Sequence, residues 1–289
     1  MAVPAIEKVN PAVHLIRLNA EKTGWTQWFL LRSDAHNDNT HCDQALQRRH
    51  LTQAKERDAG ILDFGDFHCA MQGKWDRRAD QTQLRDELRG NNYLDRLVDY
   101  NAGYLQPFAG NVLFMSPGNH ETAIQKHHQT NLTERTVERL RAAGSKASVG
   151  TYAGYIGFRF TIGAAKRKTL WLAYHHGFGG GGPVTRGVIG TNRMAVYLPD
   201  ATFVVTGHTH DEWVVPIARS RVNDAGRTFL DEQVHIKCAG YKDEYSCHEG
   251  YHIEGGRPPK LTGATWLRFY LEPGDTTNGN VRYEVTRAK

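Results

Sequence analysis

Residues 28–36 have the sequence Trp-Phe-Leu-Leu-Arg-Ser-Asp-Ala-His, in which an apolar run is followed by polar side chains. Trp28 to Leu31 form a short, continuous apolar run, which is typical of a buried strand. Asp34 and His36 follow at once, so we place them on the loop at the carboxyl end of that strand. Alternate residues of an extended segment point the same way, so these two side chains can converge. Open α/β sheets build their functional sites at such strand ends.

The same arrangement recurs along the chain. Short apolar runs at 61–64, 112–115, 170–174 and 203–206 predict four further strands, and helical patterns lie at 45–60, 84–98 and 132–143. We expect Gly90 to interrupt the second helical pattern, Asn131 or Thr133 to cap the third, and a turn at 166–168. Chemically active side chains follow the strands at Asp66, at Asn119, His120 and Glu121, at His175 and His176, and at His208 and His210. Strands that alternate with helices indicate βαβ units and parallel strands.

We therefore predict a layered α/β fold in a single domain, residues 1–289. The motif core spans about 29–212, and residues 213–289 form a strand-rich C-terminal part. We expect the later strands to form a second, more antiparallel sheet.

Composition excludes several classes of protein. The chain of 289 residues is 39% hydrophobic and carries a net charge of +5, which is the profile of a folded protein rather than a disordered one. No apolar run approaches the roughly 18 residues of a transmembrane helix, so we expect no membrane partner. The four cysteines form no C-x-x-C pair, and the first residues lack a signal-peptide pattern, which favours a cytoplasmic location. The mildly basic pI of about 9.0 is compatible with an anionic substrate.

The residue types at the strand ends indicate metal binding. Imidazole and carboxylate ligands together suit Mn, Fe, Zn or Ni. Seven or eight such side chains are too many for one tetrahedral zinc ion. They are the number expected for two cations about 3.5–4 Å apart.

The series D-x-H, G-D, G-N-H-E, H and G-H-x-H, in this order over residues 29–212, resembles that of the calcineurin-like metallophosphoesterases. The stretch Gly65–Asp76 suggests a phage-type branch. The resemblance implies a four-layer sandwich of two mixed β-sheets flanked by α-helices, and it implies two divalent ions, for which we prefer Mn²⁺. Carried over by position, it implies metal ligands at Asp34, His36, Asp66, Asn119, His175, His208 and His210, with Asp66 between the two ions.

The implied mechanism is attack on phosphorus by a metal-bridging hydroxide, with His120 contacting the phosphate or protonating the leaving oxygen. Cys69 and Ala70 stand where the protein-phosphatase branch has an acid and an arginine, and Pro117 replaces another arginine, which argues against that branch. His120 consequently lacks an obvious partner to orient it. Glu121, Asp38 and His68 are the alternatives.

Two assignments at the site stay open. His175 and His176 are adjacent and point opposite ways, so one of them is a ligand, and the resemblance favours His175. His176, with His68, Arg77 and Arg78, then becomes a candidate for substrate binding.

The leading functional prediction is a dinuclear metal-dependent phosphodiesterase that acts on a nucleic acid or a nucleotide. The alternative is a phosphomonoesterase that acts on a small molecule or a phosphoprotein. A non-catalytic interaction scaffold is the third possibility, because fold alone does not fix function. The oligomeric state is left open.

Overall fold

The structure is a computed structural model that describes residues 2–71, 80–180, 182 and 184–289. Within these residues the chain forms two β-sheets that pack face to face. The strands are β1 (Ile6–Asn10), β2 (Val13–Ala20), β3 (Thr26–Arg32), β4 (Gly60–Asp63), β5 (Val112–Met115), β6 (Ser148–Val149), β7 (Ala153–Ile162), β8 (Lys166–His175), β9 (Phe203–Thr206), β10 (Trp213–Val222), β11 (Thr228–Lys237), β12 (Thr265–Tyr270) and β13 (Arg282–Arg287).

Both sheets are mixed. The six-stranded sheet has the order β13-β12-β3-β4-β5-β6, in which β3 to β6 are parallel and the last two strands of the chain are antiparallel. The seven-stranded sheet has the order β1-β2-β7-β8-β9-β11-β10, with parallel pairing between β8, β9 and β11. The carboxyl ends of the parallel strands in each sheet therefore meet along one edge, where the predicted motifs lie.

Helices cover the outer faces of the two sheets. They are α1 (Gln44–Glu56), α2 (Tyr93–Leu105), α3 (Asn119–His128), α4 (Leu132–Ala142), α5 (Gly190–Tyr197), α6 (Tyr251–Glu254) and α7 (Asp275–Asn278). Side chains of α1, α2 and α4 join one apolar cluster on the outer face of the six-stranded sheet. A smaller cluster on the outer face of the seven-stranded sheet packs against Met194 of α5. The predicted fold class, two mixed sheets flanked by helices, is confirmed.

The core between the sheets is rich in aromatic residues. Phe158 of one sheet lies 4.9 Å from Phe29 and 4.8 Å from Phe269 of the other, measured between ring centroids. Phe203 packs 6.0 Å from Phe269, and all four rings are fully buried. Each large ring removes 150–250 Å² of surface from water, and tilted contacts add about 1 kcal/mol each, so this layer fixes how the two sheets align.

Local details differ from the sequence predictions in three places. The turn expected at 166–168 is wrong, because β8 already begins at Lys166 and the reversal occupies residues 163–165. The helix α3 was not anticipated. The later strands do not form one separate sheet, because β12 and β13 extend the first sheet and the N-terminal hairpin joins the second.

Other boundaries agree with the sequence patterns. Asn131 caps α4, since its side chain accepts a hydrogen bond from the Glu134 amide at 3.0 Å. Gly90, at φ 143°, interrupts the second helical pattern, and α2 begins after it at Tyr93. In the described part of the chain, no helix has both the length and the apolar character needed to cross a bilayer.

Three buried histidines away from the strand ends make stability depend on pH. Burial, together with a nearby basic side chain, lowers the pKa of His14, His50 and His235 to about 4. Unfolding returns each group to its ordinary pKa of about 6.5, so the unfolded chain binds more protons between these two values. Their contribution to stability is complete above pH 6.5 and is lost as the pH falls towards 4.

We expect the free energy of unfolding in urea to decrease steadily from pH 7 to pH 4. The variant His14→Gln should show a shallower decrease over that range, since one such group is removed. An equal slope in the variant and the wild-type protein would contradict this account.

Candidate metal centre

The predicted motifs meet at one edge of the two sheets. Loops that follow β3, β4 and β5 bring Asp34, His36, Asp66, Asn119 and His120 to this edge from the six-stranded sheet. Loops that follow β8 and β9 bring His176, His208 and His210 to it from the other sheet. Their side chains form two adjoining ligand clusters.

The first ligand cluster consists of Asp34, His36 and His210, all of them buried. The Nε2 atoms of His36 and His210 lie 3.2 Å apart, and His210 Nε2 lies 3.4 Å from Asp34 Oδ1. Within the described residues, this buried oxygen of Asp34 accepts no hydrogen bond. A carboxylate oxygen in that position, with two imidazole nitrogens facing it, is suited to a divalent cation.

The second ligand cluster consists of Asp66, His176 and His208. His176 Nε2 lies 3.1 Å from Asp66 Oδ2 and 3.1 Å from the amide oxygen of Asn119. The same amide oxygen lies 2.8 Å from His208 Nδ1, so Asn119 completes the cluster. The two clusters adjoin, because Asp34 Oδ1 is only 4.0 Å from His176 Nε2.

Asp66 is held so that one oxygen faces His176 of the second cluster. Its Oδ1 accepts the main-chain N–H of His120 at 2.9 Å, whereas Oδ2 points to His176. Gly118 permits this approach, because a Cβ at that position would collide with the Asp66 carboxylate. The sequence-predicted place of Asp66, between the ligands of two ions, is compatible with this geometry.

The backbone is strained at the ligands themselves. Asp34, His36, Asp66, His208 and His210 all have positive φ values, of 52°, 44°, 53°, 74° and 54°. Each non-glycine residue in the left-handed region costs about 1–2 kcal/mol. Strain of this kind persists only where surrounding contacts enforce it, and it concentrates at functional sites.

The electrostatics of the site fit divalent cations. Burial, with the neighbouring His120 and His210, lowers the pKa of His36 well below its ordinary value, so its ring is neutral and has a lone pair to donate. Burial alone would raise the pKa of Asp34, but the adjacent His210 and His176 outweigh it and the net pKa is lowered, so the carboxylate is ionised. Although burial opposes it, Asp66 raises the pKa of His176 to about 10, so the site favours positive charge beside this carboxylate.

The expected ligand His175 is corrected by the structure. Leu170, Leu172 and Tyr174 of β8 face the core between the sheets, and the two-residue period places His176 on the same side. The Nδ1 atom of His176 contacts the carbonyl oxygen of Phe64 at 2.9 Å, which turns Nε2 towards the ligands.

His175 lies on the opposite side of the strand end. Its ring packs against Tyr152 and Phe178, and its Nδ1 accepts the main-chain N–H of Gly177 at 2.9 Å. His176, and not His175, therefore lies in the ligand cluster. The sequence suggested His176 for substrate binding, and the structure places it among the candidate metal ligands instead.

A main-chain carbonyl orients His120. Its Nδ1 lies 2.6 Å from the carbonyl oxygen of Cys69, and its Nε2 lies 3.9 Å from Asp66 Oδ2. The side chain is 13% exposed and forms part of the wall of the cleft described below. None of the three side chains considered from the sequence contacts His120 Nδ1 through a hydrogen bond in the described part of the chain.

His68 does not face a substrate. It is fully buried, with Nδ1 at 3.1 Å from Glu121 Oε1 and Nε2 at 2.9 Å from the Thr136 hydroxyl. Glu121 also accepts the main-chain N–H groups of Asp66 at 3.1 Å and Gly118 at 2.8 Å. The structure therefore does not bring His68 to the cleft, and the residue helps to fix the loops that carry the two clusters.

Arg77 and Arg78, the other predicted substrate contacts, lie outside the described residues. Their role stays a prediction.

An open cleft of about 1000 Å³ leads to the ligand clusters. Lys242, His252 and Lys260, from the C-terminal part, form one wall of it. Lys242 Nζ is 2.5 Å from the buried Glu244, and Lys260 Nζ is 2.5 Å from Asp211.

The sequence motifs do not predict this wall, because these residues follow β11 at irregular intervals and belong to none of the motifs. The polar character of residues 241–252 was the only available signal.

Comparisons with known proteins give remote likenesses. No family model and no curated protein matches the sequence. Vps29 from Entamoeba histolytica, solved with Zn²⁺, is 10% identical, with a TM-score of 0.34 over 90% of this chain and 99% of that one. The calcineurin-like phosphoesterase YfkN from Bacillus subtilis is 11% identical, with a TM-score of 0.34 over 91% of this chain and 90% of that one. GAP50, the anchor in the inner membrane complex of Plasmodium, is 11% identical, with a TM-score of 0.40 over 91% and 84%.

In motif order and in its two-sheet fold, the chain resembles the calcineurin-like metallophosphoesterases.

The adjacent histidines provide a matched pair of variants for the metal centre. We expect His176→Ala to lose at least one of two bound Mn²⁺ ions per chain, because the second cluster loses a ligand. His175→Ala should keep both ions. Equilibrium dialysis followed by elemental analysis measures the stoichiometry. Loss of metal in His175→Ala with retention in His176→Ala would reverse the assignment.

Proposed function

We propose that this protein is a dinuclear metal-dependent phosphoesterase, and specifically a phosphodiesterase that acts on a nucleotide or a nucleic acid. The observation that carries the proposal is the pair of adjoining ligand clusters at the base of an open cleft, with His120 at their border. Asp34, His36 and His210 would hold one ion, and Asn119, His176 and His208 would hold the other, with Asp66 between them.

The mixed nitrogen and oxygen ligands admit Mn, Fe, Zn or Ni, and Mn²⁺ is our choice for reconstitution. Two such ions supply Lewis acidity, which lowers the pKa of a water molecule and offsets the negative charge that develops on the phosphate. The remaining contributions come from the chain itself.

His120 supports the catalytic interpretation over a scaffold. A carbonyl oxygen can only accept a hydrogen bond, so the 2.6 Å contact with Cys69 requires a proton on Nδ1 of His120. The Nε2 atom then faces the cleft beside Asp66. In the imidazolium form, which carries a proton on both nitrogens, it can pass its proton to the oxygen that leaves phosphorus. General acid catalysis of this kind typically contributes 10²–10⁴-fold.

The charges around the cleft support a diester substrate over a monoester. A phosphate monoester carries close to two negative charges at neutral pH, and a diester carries one. Among the described residues that line the cleft, Lys242 and Lys260 are each paired with a carboxylate. Their charge is partly neutralised, which suits the weaker anion.

We expect Mn²⁺-loaded protein to hydrolyse bis-p-nitrophenyl phosphate faster than p-nitrophenyl phosphate, and metal-stripped protein to hydrolyse neither. The variant Asn119→Ala should lose at least about 100-fold in kcat/KM on the diester, since even outer partners of a metal site are worth 10–100-fold. Asn91→Ala, at an exposed position in the turn before α2, is the control and should keep full activity.

The outcomes separate the candidate functions. Faster cleavage of the monoester would favour the phosphomonoesterase. No turnover of either ester with two bound ions per chain would favour the scaffold and would contradict the proposal.

A further inference from the structure

Asp38 holds the peptide that orients His120. Its Oδ1 accepts the main-chain N–H of Cys69 at 2.7 Å, and its Oδ2 accepts that of Ala70 at 2.9 Å. The Asp38 carboxylate is only 1% exposed, so both hydrogen bonds are shielded from water. Hydrogen bonds to an ionised acceptor are roughly twice as strong as those between neutral groups.

The peptide would not adopt this shape unaided. Ala70 has a φ of 53°, in the left-handed region that non-glycine residues avoid. The two hydrogen bonds that the Asp38 carboxylate accepts from successive N–H groups offset that cost. It also fixes the loop in which the Cys69 carbonyl points at His120 Nδ1, 2.6 Å away.

The other side chains near His120 are engaged elsewhere. Glu121 accepts N–H groups from Gly118, Asp66 and His68, and both nitrogens of the His68 ring are in contact with Glu121 and Thr136. The side-chain amide of Asn39 donates to the Cys69 sulfur at 3.1 Å and not to the Cys69 carbonyl oxygen. Asp38 is thus the carboxylate tied directly to the peptide that carries this carbonyl.

We propose that Asp38 is a positioning residue for the reaction, which acts through the Cys69 carbonyl to keep the Nδ1 proton of His120 in place and to aim Nε2 at the leaving group. This inference rests on the proposed function. In the step concerned, the oxygen of a water molecule forms a bond to phosphorus and releases a proton to solvent. The bond from phosphorus to the leaving oxygen breaks and its electron pair stays on that oxygen. His120 acts as the imidazolium, with a proton on each ring nitrogen, supplies the proton from Nε2 and regains one from solvent.

Leaving groups distinguish this role from a general structural one. p-Nitrophenolate departs without a proton, whereas an alkoxide requires one. We therefore compare the p-nitrophenyl and methyl esters of thymidine 5′-monophosphate as substrates of the Mn²⁺-loaded protein. His120→Ala should lose roughly 100-fold or more on the methyl ester and far less on the p-nitrophenyl ester.

Asp38→Asn should also lose more activity on the methyl ester than on the p-nitrophenyl ester, but its loss should be smaller than that of His120→Ala. Its amide NH2 cannot accept from an N–H group, so one of the two hydrogen bonds is lost. We expect a loss of about 10-fold on the methyl ester, the equivalent of one hydrogen bond to a charged group, and less than about twofold on the p-nitrophenyl ester. Bound Mn²⁺ should stay at two ions per chain.

Asp43→Asn is the matched control on the same loop. Asp43 accepts the N–H of Leu46 at 2.9 Å and caps α1, with no link to Cys69. This variant should leave the ratio between the two esters unchanged. An equal loss on both esters in Asp38→Asn, or no loss on either, overturns the assignment.

A second measurement does not depend on turnover. Long-range ¹H–¹⁵N correlation of the histidine rings, with His120 identified from the spectrum of His120→Gln, reports which nitrogen carries the proton. When its ring is neutral, His120 of the wild-type protein should be the Nδ1–H tautomer, and Asp38→Asn should show a mixture of the two tautomers. Retention of the pure Nδ1–H form in Asp38→Asn contradicts the inference, even if neither ester is a substrate and the proposed function itself has failed.

Discussion

The structure depends on keeping a group of ionisable side chains together in a place where few of them reach water. Asp34 and Asp66 lie buried beside the five imidazole rings of this edge, on backbone that is forced into the left-handed region. Desolvation and strain both oppose this arrangement. Divalent cations would remove the electrostatic part of the cost, because they satisfy the carboxylates and the ring nitrogens at once.

Main-chain hydrogen bonds between neighbouring loops hold this strained backbone in place. The N–H of Asp34 donates to the Gly65 carbonyl at 2.8 Å, and that of His36 donates to the Asp66 carbonyl at 2.9 Å. In the seven-stranded sheet, the N–H of Gly207 donates to the His176 carbonyl at 2.8 Å. The aromatic core sets the alignment of the sheets, and these bonds join the loops that carry the two ligand clusters within each sheet.

Sequence patterns predicted the strand ends well, because apolar runs followed by Asp, Asn or His are local signals. They did not predict which of two adjacent histidines faces inward, since that depends on which side of β8 meets the other sheet. Leu170, Leu172 and Tyr174 mark the side of β8 that faces the core. Because side chains alternate along a strand, His176 lies on that same side. The hydrogen-bond partner of His120 could not be predicted from residue types, because it is a main-chain carbonyl group and every residue has one.

The central claim is that two cations bind side by side at this edge, and anomalous diffraction from crystals grown with Mn²⁺ tests it most directly. The account predicts two peaks about 3.5–4 Å apart. One should contact Asp34, His36 and His210, the other should contact Asn119, His176 and His208, and Asp66 should lie between them. A single peak, no peak, or a peak bound by His175 would contradict it.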